Sequence, residues 1–168
     1  MKMTEMFLAQ LEREVPLCRR ALERVPEGKN DWKPHEKSMQ MGYLAALVAT
    51  VPGWIAMVIN QDSLDFAPAD RSGYQRPDWK TTADLLQLLD TSAARAREAL
   101  GKASEDHLLK QWQTLARGKL VSSEVRHVVI ADTFSHLAHH RGQLTVYLRL
   151  NGVAVPSIYG PTADERAF

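Results

Sequence analysis

The segment from Ser135 to Gln143, SHLAHHRGQ, holds three of the chain's six histidines, at positions 136, 139 and 140. His136 and His140 are four residues apart, which sets two imidazoles one turn apart on one face of an α-helix. Two such nitrogens can grip one metal ion at about 2.0–2.1 Å each, and a stable site needs at least one further ligand. At about 100° per residue from His136, Val129, Thr133, His140 and Tyr147 fall on the same stripe, flanked by Asp132 and Gln143. A buried imidazole left unpaired costs free energy, so each ring must find a hydrogen-bond partner or a metal. Asp132 and His140 are separated by about 12 Å of helix and cannot easily share an ion. Asp132 is better placed to support His136 from behind. His139 and Arg141 fall to the side and read as rim residues. The segment lacks the adjacent glutamate of a His-Glu-x-x-His metalloprotease, so that chemistry has no general base here.

Four helical segments must position these groups. The first carries Phe7, Leu8, Leu11, Val15, Cys18, Leu22 and Val25 at helical spacing, should bend at Pro16, and ends at Pro26 and Gly28. The second runs from about Ser38, a plausible N-cap, to Asn60, and is apolar nearly all round, as an enclosed helix would be. Pro52 cannot donate to the carbonyl of Val48, so a bend is expected one turn past Leu47. The third begins near Thr81 with Asp84 completing a capping box, and stops at Gly101. The fourth runs from about Ser123 to Leu150, with Asn151-Gly152 as its stop. Residues 61–80, with Pro68, Gly73 and Pro77, read as a long surface connection. Residues 102–122 offer a short helix from Ser104 to Trp112, then an irregular segment or small hairpin. The tail Val153–Phe168, broken by Pro156 and Pro161, should pack across the helices. No strand pattern competes with the helices. The expectation is an all-α single domain over residues 1–168, a four-helix bundle with long crossover connections.

Composition narrows the function. The chain has 168 residues, 45% hydrophobic and 24% charged, which suits one domain with a sizeable core. The formal net charge is +1 with no basic run, so nucleic acid is not expected as a partner, and Trp32, Trp79 and Trp112 read as packing residues. Cys18 is the only cysteine and sits on an apolar stripe, which excludes an internal disulfide and makes it a buried thiol, not a nucleophile. Met39–Ile59 has no charge and approaches the length of a membrane span. Its Gln40, Gly42, Thr50, Pro52 and Gly53, and its alanine content, favour a core helix. No membrane association and a cytoplasmic location are expected.

The segments HLAHHRGQLTVYLRL (136–150) and NGVAVPSIYGPTADE (151–165) strongly resemble the DinB-like (YfiT-like) superfamily, not the DNA polymerase that shares the name. Val25-Pro26, Trp32-Lys33-Pro34, Lys37-Ser38-Met39 and Pro52-Gly53-Trp54 extend the resemblance over nearly the whole chain. It implies a four-helix bundle, often dimeric, with a divalent metal held by three histidines. Two of them correspond to His136 and His140. The third belongs on the second helix shortly before Pro-Gly-Trp, where this chain has Leu47. Leucine offers no lone pair, and an apolar contact beside the site disfavours a charged ion. No histidine occurs from 36 to 106, which leaves His35 and His107 as conceivable replacements, while His127 is too distant along the helix.

Two readings follow. One is a homodimer that is non-catalytic or binds a small molecule, with a degenerate site at His136 and His140. The other, resting on the resemblance to metal-dependent thiol transferases and thiol-dependent isomerases, is an enzyme whose zinc, nickel or iron takes water or another group as third ligand. In both, Asp132, Gln143, Tyr147 and Trp54 would surround the pair.

Overall fold

A computed structural model describes residues 2–69 and 77–166. Gly73, assigned above to the surface connection, lies outside the described residues. The helices are α1 (Met3–Leu22), α2 (Met41–Thr50), α3 (Trp54–Asn60), α4 (Thr82–Lys102), α5 (Glu105–Leu108) and α6 (Arg126–Leu150). A 3-10 turn, Val51–Gly53, joins α2 to α3. Strands β1 (Ser63–Asp65), β2 (Gln111–Ala116) and β3 (Lys119–Val125) form a small sheet in that order.

Paired residues reveal the helix directions. Arg97 meets Glu12 and Arg19 meets Asp90, so α4 runs antiparallel to α1. Phe7 stacks on Phe134 and Glu14 pairs with Arg141, seven residues on in both helices, so α6 runs parallel to α1. Trp54 meets His136 and Tyr147 reaches Met39, so the α2–α3 segment runs antiparallel to α6. The order is therefore up, down, down, up, which requires one long crossover, between α3 and α4.

The second helix is broken where Pro52 dictates. Its ring has no N–H for Val48, the backbone tightens, and Trp54 N–H bonds back to the Val51 carbonyl as in a 3-10 turn. The helix begins at Met41, not Ser38. Its first amides are satisfied by loop backbone, Met41 N–H on Trp32 O at 2.7 Å and Gly42 N–H on Asn30 O at 2.9 Å, so no side-chain cap is needed. A Cβ at Gly42 would stand 3.0 Å from Asn30, which is why glycine fits there. Met41–Asn60 is long and apolar enough to cross a membrane, yet 72% of it is buried inside the protein, as a core helix must be. The α4 capping box forms as the spacing predicts, Thr81 Oγ1 accepting from Asp84 N–H and Asp84 from Thr81 N–H. The helix continues through Gly101 to Lys102.

The fold is predominantly helical, as expected, and carries one small sheet. β2 and β3 pair antiparallel around Arg117 (φ 52°) and Gly118 (φ 72°), both in the left-handed region that a two-residue hairpin turn requires. Asp65 accepts from both turn amides, at 3.1 and 2.6 Å, and β1 pairs parallel to β2. The pairing takes Ser123 into β3, so α6 starts at Arg126. The short helix is only α5, and Trp112 belongs to β2. Glu105 at the start of α5 accepts from the amides of Met3 and Thr4, so α5 caps α1.

Arg141, read above as a rim residue, is buried at 1% exposure and pairs with Glu14, itself 3% exposed, at 2.6 Å. Tyr159 of the tail donates to the same Glu14 carboxylate at 2.8 Å and accepts from the Arg141 guanidinium. Arg20 and Arg24 hold Glu165, and Arg149 holds Asp164, so the tail lies across α1 and α6 as the sequence suggests. Glu14→Ala leaves a buried guanidinium unpaired and is expected to cost about 3–5 kcal/mol. Tyr159→Phe leaves the pair in place and is expected to cost about 1 kcal/mol. Urea denaturation followed by circular dichroism measures both, and equal losses would contradict this ranking.

Candidate functional site

α6 presents His140 inward, 6% exposed, and His136 at the surface one turn earlier. Their Nε2 atoms are 2.9 Å apart, and His140 Nδ1 lies 2.8 Å from Gln143 Oε1. A carbonyl oxygen only accepts, so His140 Nδ1 carries a proton. The Nε2 of that neutral ring is then an acceptor and takes the Nε2–H of His136. The chain runs from His136 through His140 to Gln143 and leaves a lone pair on His136 Nδ1. That nitrogen makes no hydrogen bond among the described residues. The His136 ring sits 5.1 Å from Trp54 and 4.5 Å from His140, with the exposed His139 ring 5.2 Å from His140.

The structure brings His136, His140, Gln143 and Trp54 together. It does not link Asp132 to His136 by a hydrogen bond; Asp132 is exposed and makes no ion pair or hydrogen bond among the described residues. Tyr147 stands apart, its hydroxyl donating to Met39 O at 3.1 Å and its ring edge-on to Trp32. Leu47 is 4% exposed and belongs to the hydrophobic core. None of the other histidines considered joins the pair. His35 Nδ1 accepts from Lys37 N–H, His107 Nε2 bonds Ile59 O at 2.7 Å, and His127 Nδ1 lies 3.3 Å from Leu108 O. Among the described residues no group of three His, Cys, Asp or Glu side chains could hold a metal ion. Two imidazole nitrogens that already bond each other do not fit the three-histidine centre the resemblance implies. Cys18 lies elsewhere, wholly buried beside Arg141, and burial pushes its thiol up to about 11, so it carries no thiolate near neutral pH.

His136 lines a groove of about 200 Å³. Trp54, Met57, Leu64, Trp112 and Val129 form its apolar walls, and Asp132 and Thr133 line it together with His136. The residues missed from sequence are those of the sheet, Leu64 of β1 and Trp112 of β2, and the group that docks it. Arg126, 1% exposed, donates to the carbonyls of Val58, Gln61 and Gln111 and pairs with Asp62. It ties the ends of α3, β2 and α6 around the groove. The one available signal was Arg117-Gly118 between two short runs. A larger cleft of about 600 Å³ lies on the α4 side of Trp54, lined in part by Thr91, Ser92 and Arg95, and contains no histidine.

Burial lowers the pKa of His140 most, opposed by the Gln143 bond and aided by His139. Burial also lowers that of His136, followed by the fields of His140 and His139, though solvent at this exposed ring screens much of the effect. Both rings are neutral in the fold and bind protons more readily when unfolded. Stability is therefore full above the ordinary histidine pKa of about 6.5 and falls as the pH drops below it. Urea titrations between about pH 7.5 and 5 should show this loss, and His140→Leu should remove most of it. An unchanged slope in that variant would place the titrating group elsewhere.

The DinB family model matches residues 1–167. A DinB-like protein from Bacillus subtilis shares the fold with a TM-score of 0.68 at 19% identity, over 91% of this chain and 97% of that one. A DinB-like protein from Bacillus cereus does so with a TM-score of 0.68 at 19% identity, over 92% and 97%. The uncharacterized protein YrdA of Bacillus subtilis (strain 168) is 56% identical over 32 residues, a match spanning 19% of each chain. With the profile covering nearly its full length and the helical fold shared end to end, the chain belongs to the DinB family.

Proposed function

We propose that this chain is a non-catalytic, ligand-binding member of its family, in which the histidine pair serves as the polar end of a small-molecule site. The observation that supports this reading is the closed relay from His136 through His140 to Gln143, whose outer member, His136, lines an apolar groove. A site of about 200 Å³ is smaller than the roughly 300–1,000 Å³ typical of drug-sized ligands, so the ligand is of fragment size. The reading includes a homodimer, as the family resemblance implies, a cytoplasmic location, and no nucleic-acid or membrane partner.

One observation favours the enzymatic alternative. Nitrogens 2.9 Å apart are close enough to bond one ion at about 2.0–2.1 Å each, with water completing the shell. Such an ion would supply Lewis acidity toward a thiol or water.

Metal analysis of untagged protein separates the two. Wild type should carry no stoichiometric zinc, nickel or iron after dialysis, whereas Leu47→His, which restores a nitrogen donor at the third corner, should retain about one ion per chain. Stoichiometric metal in the wild type would overturn the non-catalytic reading. A metal-free Leu47→His would show that position 47 does not face the pair. Sedimentation velocity tests the dimer, and a single monomeric boundary would remove that part.

A further inference from the structure

From Ala154 to Glu165 the tail makes no main-chain to main-chain hydrogen bond with any helix among the described residues. The last such link is Val153 N–H on Leu148 O, at 3.0 Å. Beyond it the polar links to the bundle all use side chains. Arg20 donates to Glu165 Oε2 at 2.5 Å, Arg24 pairs with Oε1 of the same carboxylate, and Arg149 holds both oxygens of Asp164. Arg24 also donates to Ala154 O at 3.1 Å. Tyr159, its side chain largely in solvent, reaches Glu14 Oε2 with its hydroxyl at 2.8 Å. The shape of the tail depends on the same two carboxylates. Val155 N–H donates to Asp164 Oδ2 at 2.8 Å, and Ser157 N–H donates to Glu165 Oε2 at 2.9 Å. These are the oxygens that Arg149 and Arg20 also hold. Thr162 Oγ1 on Val155 O, at 2.8 Å, and Ser157 Oγ on Gly160 O, at 2.7 Å, complete the loop.

An oxygen that serves an arginine and a tail amide at once couples docking to ordering. Without the arginine, the carboxylate is free to exchange the amide for water. Without the amide, it is no longer aimed at the arginine. The apolar anchors are few: Pro156 is buried, and Val153, Val155 and Ile158 are only partly buried against the core. So short a loop does not offset its own conformational entropy in water. The bundle depends on none of these bonds, since Arg141 keeps Glu14 and Cys18 when Tyr159 leaves. We propose that residues 153–165 form a strap that orders as it docks and comes off a folded bundle as one unit, with Arg20, Arg24 and Arg149 as its latch. Arg20 and Arg149 lie in the last turns of α1 and α6, which run parallel, so both stand at one end of the bundle. Docked, the strap leaves that end with paired charges. Released, it bares three guanidiniums and withdraws the Tyr159 hydroxyl from the Glu14–Arg141 pair. Ordering and disordering of a short segment held by arginine–anion pairs is an established form of switch.

Amide hydrogen exchange of the full chain, read residue by residue by NMR at neutral pH, tests the strap. The amides of Val155 and Ser157 should exchange faster than those in the middle of α1 and α6. Raising NaCl to about 0.5 M should speed both tail amides by about fivefold relative to the helix amides, because exposed ion pairs are screened. Asp164→Asn keeps an acceptor and loses the charge. It should speed Val155 and Ser157 together, by about fivefold, although Ser157 bonds the other carboxylate. Glu165→Gln should do the same, with the helix amides unchanged in both variants. If each variant speeds only the amide bonded to the altered side chain, the tail is a set of separate contacts and the proposal falls. It falls equally if the tail amides exchange as slowly as the helix core, or if salt leaves them unmoved in the wild type, a measurement that needs no variant to fold.

Discussion

The buried pair of Glu14 and Arg141 is the constraint on which the rest of the arrangement depends. Two charges removed from water are stabilised only while each keeps the other and their remaining hydrogen bonds are filled. Arg141 is filled by Glu14 through both carboxylate and carbonyl, by Cys18 Sγ at 3.2 Å, and by the Tyr159 hydroxyl. Those partners come from α1 and from the tail, so one guanidinium fixes the rotation of α6 about its own axis relative to both. That rotation also decides where the preceding residue, His140, points. A pair that is costly to break therefore specifies the face that α6 gives to the groove, a role for buried charge that goes beyond its modest net contribution to stability.

Arg126 plays the corresponding part at the other end of α6. Its guanidinium cannot lose its proton, and its five N–H groups form a fixed fork. Three of the acceptors it finds are main-chain carbonyls, at 58, 61 and 111, which sit where α3 ends and β2 begins. Such carbonyls would otherwise lack partners, because helix ends and strand starts leave acceptors unfilled. Arg126 thus converts a set of chain ends into one junction. The hairpin that it docks brings Trp112 over the groove and, through the β1–β2 pairing, Leu64 beside it. The two buried arginines, fifteen residues apart, hold α6 at its start and in its second half, and the histidine pair lies between them.

Much of this was legible in the sequence where a local rule acts alone. Pro52 breaks the second helix at the predicted place because the missing N–H is a property of one residue. Thr81 and Asp84 cap α4 because both partners lie within one turn. The His136–His140–Gln143 relay follows from spacings of four and three on one helix. What was not legible depends on distant partners. Arg141 looks like a surface residue until Glu14 and Tyr159 arrive from far along the chain. The hairpin was legible only as one of two alternatives because β3 is exposed at nearly every position and shows no alternation, its pairing resting on backbone bonds, a left-handed Arg117-Gly118 turn and Asp65. The start of the second helix was misplaced because its cap is supplied by backbone carbonyls, which no side-chain pattern reports.

The absence of a donor at Leu47 has a consequence for the histidines themselves. In a centre with three ligands, each imidazole turns one nitrogen to the ion and the other to a hydrogen-bond acceptor. Gln143 meets the second of these needs for His140. Without the ion, the inward Nε2 of His140 would be a buried acceptor lacking a partner, and His136 supplies the missing proton at 2.9 Å. Each ring is thereby held in a single tautomer, and the remaining lone pair lies on Nδ1 of the exposed His136. The spacing of four that the family resemblance reads as a metal pair thus also sets a direct hydrogen bond between the two rings, which ties the exposed His136 to the buried His140 and, through it, to Gln143.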